Sequence, residues 1–262
     1  MFPDLIDFGF LHLKTYGACM AIGFLLSWKL IERLSPRRDL GNLLVALMIA
    51  GVVGARTAYV IENWSVEFAN DWAAIIQVWR GGLVFYGGLI LAVLTFFVWC
   101  RLKRCAILDI ANLLSVALPL GHACGRIGCF FYGCCYGRVS SSAWAVAFPV
   151  HSPAWCEQVR TGAISSAASA SLRVLPTQLF EAAALLVLFA ILLAVYRQVR
   201  RYSAAIYLVG YGFIRFGLEY LRGDPRAEIG PFSIGQTISF GVVALGGLFF
   251  ICERIRQKCA HT

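Results

Sequence analysis

Charged side chains are scarce in this chain. Aspartate, glutamate, lysine and arginine make up 14% of its 262 residues, whereas a soluble domain carries about 25%. Hydrophobic residues reach 60%, and the mean hydropathy is +0.73. So few charges do not cover a water-exposed surface, which excludes a soluble globular protein and predicts one embedded in lipid.

The chain also lacks a linker, a low-complexity tract and an internal repeat, so we expect one membrane domain over residues 1–262. Its first apolar run starts too late, and without a preceding basic stretch, for a cleaved signal peptide. A bilayer core needs about 20 apolar residues per helix. Runs of that length predict an all-α integral membrane protein with seven transmembrane helices. They cover about residues 16–34, 42–61, 82–100, 108–125, 178–196, 203–221 and 234–252.

The basic excess predicts the orientation. A net charge of +9 is compatible with nucleic-acid binding, but 12 of the 23 basic residues lie in the loops after the first, third, fifth and seventh spans. Positively charged short loops stay in the cytoplasm. We therefore expect an extracytoplasmic N-terminus, a cytoplasmic C-terminus, attraction to anionic lipid headgroups and no nucleic-acid partner.

Three stretches are expected outside the cytoplasm. Residues 1–15 form a short arm, and residues 62–81 carry three tryptophans typical of a membrane interface. The longest loop covers about residues 126–177, and its Ser/Ala-rich middle, residues 161–171, is expected to be mobile.

Ionisable residues inside the predicted spans cost about 2.5–3.5 kcal/mol each on insertion, and such residues often mark function. Arg215 and Glu219 are four residues apart, so they can meet on one helix face. They form either a structural ion pair or part of a site. Arg56 has only Glu62 as a nearby acidic partner, in poor geometry.

Residues 121–138 are the densest polar stretch. Five glycines in 17 residues allow close backbone approach, and Arg126 and Arg138 are suited to bidentate phosphate binding. A second glycine-rich stretch covers residues 80–88. The alternative for both stretches is helix packing or a re-entrant turn.

Six motifs follow one another over nearly the whole chain. They are Tyr16-Gly17, Gly81-Gly82…Gly87-Gly88-Leu89-Ile90, Gly125-Arg126-Ile127-Gly128, Pro176-Thr177-Gln178-Leu179-Phe180-Glu181, Gly210-Tyr211-Gly212-Phe213-Ile214-Arg215 with Glu219, and Ile234-Gly235-Gln236. In their order and spacing they resemble the bacterial prolipoprotein diacylglyceryl transferase family. The family's seven spans and external N-terminus agree with the charge pattern.

The resemblance implies transfer of a diacylglyceryl group from phosphatidylglycerol to a cysteine thiol of a prolipoprotein, or of another cysteine-bearing secreted protein. A thioether forms and glycerol phosphate leaves. The resemblance also implies a multi-pass protein of the bacterial cytoplasmic (inner) membrane. No cofactor and no metal are expected.

The resemblance also implies roles for individual residues. Arg126 and Arg215 are expected to bind the phosphate, with Glu219 orienting Arg215. Tyr86 occupies the proton-transfer position. The further residues expected to line the site are Tyr16, Gly125, Gly128, Arg138, Gln178, Glu181 and Tyr211.

The chain departs from the family pattern where the family has polar groups. Tyr86 replaces a histidine, and a phenol with a pKa near 10 is a poor base at neutral pH. Cys129 replaces an asparagine, Cys134 an acidic residue and Leu175 a histidine. These changes predict a divergent subfamily, an altered acceptor specificity or a different proton route.

Cysteine is abundant instead, with ten residues in the chain. Cys129, Cys134 and Cys135 lack the usual zinc spacing. We therefore consider three roles for them: packing, a disulfide that joins Cys134 or Cys135 to Cys129 or Cys156, or redox chemistry. A membrane thiol-disulfide oxidoreductase is therefore one alternative function, although the chain has no Cys-x-x-Cys motif. A non-catalytic lipid- or lipoprotein-binding relative is the other.

Overall fold

The structure is a computed structural model, and it describes residues 4–7, 12–35, 37, 39–69, 71–226 and 228–261. Helices dominate the described part. They are α1 (Thr15–Leu34), α2 (Asp39–Glu62), α3 (Phe85–Leu102), α4 (Ile107–Tyr132), α5 (Pro153–Arg160), α6 (Thr177–Val199), α7 (Ser203–Glu219) and α8 (Ile234–His261).

Strands are short and few in the described residues. Before α1, β1 (Asp4–Asp7) pairs antiparallel with β2 (His12–Lys14). Before α8, β3 (Glu228–Ile229) pairs antiparallel with β4 (Phe232–Ser233). The predicted arm thus contains the first hairpin, and residues 1–3 and 8–11 of that arm lie outside the described residues.

The prediction of an all-α membrane protein is confirmed. Five helical stretches of the described chain are long and apolar enough to cross a membrane. One of them, Thr177–Glu219, contains both α6 and α7. The 20-residue α1 coincides with the first predicted span. Seven spans and the orientation of the termini stay predictions.

The predicted start of the long loop is wrong, because α4 continues through Gly125-Arg126-Ile127-Gly128 to Tyr132. The glycines of this motif do not interrupt the helix, which satisfies its backbone hydrogen bonds internally, as a lipid environment requires. The helix ends where Gly133 adopts a left-handed conformation, with φ at 82°. Arg126 therefore projects from a rigid helix instead of a loop.

Contacts divide the chain into two compact units, residues 1–30 with 111–262 and residues 31–110. One membrane domain over residues 1–262 stays a prediction.

In the second unit, α2 and α3 pack closely at glycines. A Cβ added to Gly88 would lie 2.6 Å from the Gly51 carbonyl oxygen, and Gly54 and Gly87 face each other more closely still. Glycines 87 and 88 therefore serve helix packing.

Arg56 of the second unit is buried and fully engaged by backbone. Its guanidinium donates to the carbonyl oxygens of Ala74 at 2.6 Å, Ile75 at 2.9 Å, Gly81 at 2.7 Å and Gly82 at 3.0 Å. These carbonyls, and not Glu62, are its polar partners among the described residues. Arg56 therefore fixes the connection between α2 and α3.

The same connection presents tryptophans at the surface. Trp64, Trp72 and Trp79 are exposed by 44%, 70% and 69%, and the rings of Trp64 and Trp72 meet edge to face at 5.8 Å. Exposed indoles of this kind are typical of a membrane–water interface.

In the first unit, three chain segments form what we call the loop platform, residues 136–139, 174–175 and 221–223. The Gly137 amide donates to the Leu175 oxygen at 2.8 Å, and the Arg138 amide to the Leu221 oxygen at 3.0 Å. A Cβ on Gly137 would lie 2.7 Å from the Leu221 oxygen. The glycine at 137 is therefore required by close backbone approach.

The Ser/Ala-rich stretch expected to be mobile, residues 161–171, is held by side-chain hydrogen bonds in its C-terminal part. The Trp155 indole donates to the Ala168 oxygen at 2.9 Å. The Ser171 hydroxyl accepts from the Phe148 amide at 2.8 Å. Phe148 is fully buried in a small core with Tyr136, Ala154 and Val174.

A polar contact ties α4, α7 and α8 together at the other end of the first unit. The Asn112 amide group donates to Glu253 Oε1 at 2.8 Å, and its oxygen accepts from the Ala204 amide at 2.9 Å. Asn112 and Glu253 are exposed by only 2% and 1%.

Candidate functional site

Arg126 and Glu181 form the first half of the site. Arg126 lies near the end of α4, and its Nε atom is 3.0 Å from Oε1 of Glu181, on the second turn of α6. The Glu181 side chain is 1% exposed and that of Arg126 is 18% exposed. Glu181 thus orients the guanidinium, which keeps an accessible edge for a ligand.

His122 joins this pair, although it was not singled out from the sequence. It lies one turn before Arg126, whose Nε–H donates to His122 Nε2 at 3.4 Å. The same nitrogen is 3.8 Å from Glu181 Oε1, and the ring meets the Tyr211 ring edge to face at 5.0 Å. The sequence could have indicated this contact, because His122 and Arg126 are four residues apart, the spacing that places two side chains on the same helix face.

Arg215 and Glu219 form the second half. Their side chains pair along α7, and Ser233 donates its hydroxyl hydrogen to Glu219 Oε1 at 2.7 Å. A Cβ added to Gly235 would lie 2.6 Å from Glu219 Oε2 and 2.7 Å from Arg215 Nη2. The Ile234-Gly235-Gln236 motif therefore leaves space for this ion pair.

The two halves belong to one electrostatic cluster. The charges of Arg126 and Arg215 both act on His122 and on Tyr211. Two guanidinium groups, each with its own carboxylate, thus lie within electrostatic range of an imidazole and a phenol. We name this set, with residues 122, 126, 181, 211, 215 and 219, the arginine cluster. Its chemistry suits an anionic group such as a phosphate.

Cys129, Cys134 and Cys135 form a second cluster. Their sulfur atoms all lie within 4.8 Å of one another. The turn that carries them is held from α6, because Gln178 Nε2 donates to the Cys134 oxygen at 2.6 Å and the Thr177 hydroxyl to the Cys135 oxygen at 2.8 Å. Gln178 therefore supports the cysteine turn.

All ten cysteines are described, and all carry free thiols. The disulfide considered for this cluster is therefore not formed, and Cys156 lies exposed on α5 outside the cluster.

The two cysteines beyond the end of α4 differ in acidity. The pKa of the Cys135 thiol lies well below its ordinary value, because the Cys129 and Cys134 thiols hydrogen-bond to it and Arg222 and Arg126 add positive charge. The pKa of the Cys134 thiol is raised by hydrogen bonds with Cys129 and Cys135, and then by burial. Negative charge is therefore best held on Cys135.

Of the remaining predicted residues, Tyr16 lies within electrostatic range of Arg126, and the others make no described contact with the arginine cluster. Gly128 packs against Tyr16, since an added Cβ would be 3.0 Å from Tyr16 Cδ2. Gly125 similarly faces the Met20 sulfur at 3.1 Å. Tyr86 is the second residue of α3 in the second unit and is 53% exposed, and Arg138 is exposed on the loop platform. Their roles at a substrate site stay predictions.

Comparison with known proteins gives a consistent match. The family model described as prolipoprotein diacylglyceryl transferase matches residues 3–252. A phosphatidylglycerol–prolipoprotein diacylglyceryl transferase from Parasynechococcus marenigrum is 32% identical, covering 98% of this chain and 95% of the relative. Proteins of the same name from Photobacterium profundum and Clostridium tetani are 31% and 28% identical. The alignments cover 95% and 98% of this chain, and 92% and 100% of the relatives.

Proposed function

This chain belongs to the prolipoprotein diacylglyceryl transferase family, and we propose that it transfers a diacylglyceryl group from phosphatidylglycerol to a prolipoprotein cysteine at the arginine cluster. The observation that supports this site is the pairing of Arg126 with Glu181 and of Arg215 with Glu219, around His122 and Tyr211. In the reaction, the acceptor sulfur bonds to the terminal glyceryl carbon. The bond from that carbon to the phosphate oxygen breaks, and glycerol phosphate leaves with the electron pair.

Arg126 and Arg215 are proposed to stabilise the phosphate as it leaves. Negative charge develops on its oxygens, and a guanidinium offers two parallel donors to such a group. Because Glu181 and Glu219 already orient the two side chains, little reorganisation is needed in the transition state. A preorganised donor of this kind is worth about 10²–10³ in rate.

The acceptor thiol must lose its proton, because the thiolate is the nucleophile. Tyr86 occupies the position expected from the resemblance, but an exposed phenol is a weak base at neutral pH. We favour His122, because a neutral imidazole carries a nitrogen lone pair that can accept a proton. Its Nε2 lies 3.8 Å from Glu181, so the carboxylate stabilises the imidazolium that proton transfer creates. The 3.4 Å contact with Arg126 is long for a hydrogen bond and leaves the nitrogen lone pair weakly engaged.

The proposed setting is a bacterial inner membrane, with seven spans, the N-terminus outside and the C-terminus inside. Seven described helices of 17 residues or more support the count, and the alternating basic loops support the orientation. Phosphatidylglycerol would enter from the lipid, and the prolipoprotein from the same leaflet.

The two alternative functions have weaker support. A thiol-disulfide oxidoreductase is disfavoured because the three relatives above are named as transferases. A non-catalytic binder is disfavoured because two buried arginine–glutamate pairs persist in the chain at a desolvation cost.

A transfer assay tests the proposal. Purified protein in micelles containing phosphatidylglycerol is mixed with a prolipoprotein peptide, which is then examined by mass spectrometry for an added diacylglyceryl group. Arg126→Ala is expected to lower the transfer rate by about 10² or more. Arg160→Ala is the matched control, because its guanidinium is 69% exposed and pairs only with Glu157 among the described residues. Near-normal transfer by Arg126→Ala would discard the assignment.

A further inference from the structure

Three thiols converge at a place where the transfer reaction needs none from the enzyme. The sulfur atoms of Cys129, Cys134 and Cys135 lie within 4.8 Å of one another. A disulfide joins two sulfurs at about 2.05 Å and would leave the third thiol without a partner. A convergence of three sulfurs has another use, because three sulfurs can surround a single ion.

The spacing of the sulfurs matches such an ion. Metal–sulfur bonds to zinc measure about 2.3 Å, which places three sulfurs in a plane around one ion about 4.0 Å apart. The separations of at most 4.8 Å therefore need only a small contraction. The side chains would not have to change their places on the turn.

The turn itself is built to bring the sulfurs together. Gly133 ends α4 with φ at 82°, and Cys135 adopts a left-handed φ of 62°. A left-handed backbone is unfavourable for a residue with a side chain and persists only where its surroundings hold it. Thr177 and Gln178, both buried, supply that hold through the carbonyl groups of the turn.

Two arginines place positive charge near the sulfurs. Arg222 has a side chain exposed by only 3% and acts electrostatically on Cys135, as does Arg126. Arg222 also pairs with Asp224 at 2.7 Å, so it remains fixed beside the turn. Three thiolates with one monovalent cation carry a net charge of −2, and the two guanidinium groups lie on the side where that charge would develop.

We propose that Cys129, Cys134 and Cys135 form a three-sulfur site for a soft, thiophilic metal ion, with Cu⁺ as the favoured occupant. Thiolate ligands select soft ions such as Cu⁺. A structural zinc site takes four protein ligands, whereas the group found among the described residues offers three. None of the three thiols is assigned a role in the transfer chemistry, so metal binding and diacylglyceryl transfer can fail separately.

The test uses the full-length protein in detergent under anaerobic conditions. Cu⁺ is titrated in competition with a chromophoric Cu⁺ chelator, and the bound ion is examined by X-ray absorption spectroscopy. One ion per chain with three sulfur neighbours is expected. Cys129→Ser, Cys134→Ser and Cys135→Ser should each weaken binding by at least about 10-fold. Cys156→Ser, which removes an exposed thiol outside the cluster, should bind as the unaltered protein does.

A second readout needs no variant. The unaltered protein is alkylated with and without Cu⁺, and peptide mass spectrometry should show the three clustered thiols protected by the metal. Zn²⁺ held by the same three sulfurs would also support the site and would change its preferred ion. Absence of binding by both ions, coordination by nitrogen or oxygen alone, or equal loss in Cys156→Ser would overturn the proposal. So would protein isolated from membranes with two of the three thiols joined as a disulfide.

Discussion

The Nη1 atom of Arg215 lies 2.6 Å from the Oε2 atom of Glu219, one turn further along α7. Glu219 also accepts the Ser233 hydroxyl hydrogen at 2.7 Å. Both charged side chains are buried. A pair held this firmly is equally compatible with joining helices and with presenting a guanidinium to a phosphate.

Variants of this pair separate the two roles. Glu219→Leu leaves the Arg215 charge buried without its carboxylate, which is expected to cost about 3–5 kcal/mol of stability. Replacing both residues with leucine should restore most of that stability, because no unpaired charge is then left buried at this position. Thermal unfolding in detergent measures this difference, and the transfer assay should show both variants inactive. A stable double variant that still transfers at the normal rate would reduce the pair to a structural role.

His122 and Tyr86 make competing predictions about the proton. If His122 is the base, His122→Gln lowers the transfer rate by about 10² or more, whereas Tyr86→Phe changes it only slightly. Raising the pH should partly restore His122→Gln, because the acceptor thiolate then forms without a base. Rates measured against pH for both variants distinguish the two residues. A large loss in Tyr86→Phe with a normal His122→Gln would return the role to the phenol.

Gly137 is expected to be intolerant of substitution. A methyl group there would lie 2.7 Å from the Leu221 oxygen and 2.8 Å from Leu175, so Gly137→Ala should destabilise the protein by about 1–3 kcal/mol. Gly241→Ala is the control in α8, where an added Cβ meets nothing within 4 Å. That change should stabilise the helix by about 0.5–1 kcal/mol. Equal unfolding temperatures for the two variants would contradict the crowding at Gly137.

Two exposed cysteines test the orientation. Cys156 lies on α5 in the long loop, and Cys259 lies near the end of α8. A membrane-impermeant maleimide applied to right-side-out spheroplasts should label Cys156, while Cys259 should react only after permeabilisation. Cys156→Ser and Cys259→Ser identify each signal. The reverse pattern would invert the proposed topology.

The helices were predictable because each depends on local composition. The predicted run 203–221 corresponds to α7 at Ser203–Glu219, and the run 178–196 to α6 at Thr177–Val199. Hydropathy does not report where a helix ends, since that depends on backbone conformation. For this reason α4 extended past the predicted end at residue 125 to Tyr132.

The candidate site was predictable in part for a similar reason. Arg215 and Glu219 are neighbours on one helix, so their spacing in the sequence predicts their contact. The pairing of Arg126 with Glu181 joins two helices that are far apart in the chain, and no local pattern predicts it. The convergence of Cys129 with Cys134 and Cys135 depends on the left-handed turn after α4, which the cysteine spacing alone does not reveal.

The buried Glu253 sets a practical limit on shortening the chain. The segment shared with the family model ends at residue 252, one position before the carboxylate that accepts the Asn112 hydrogen bond. A protein trimmed to that boundary would keep every residue of the arginine cluster, yet would lose the group that links α8 to α4. Its Asn112 side chain, which also caps the start of α7, would then have a buried donor with no acceptor. A chain shortened from its C-terminal end should therefore keep Glu253, and affinity tags are better placed after the end of α8.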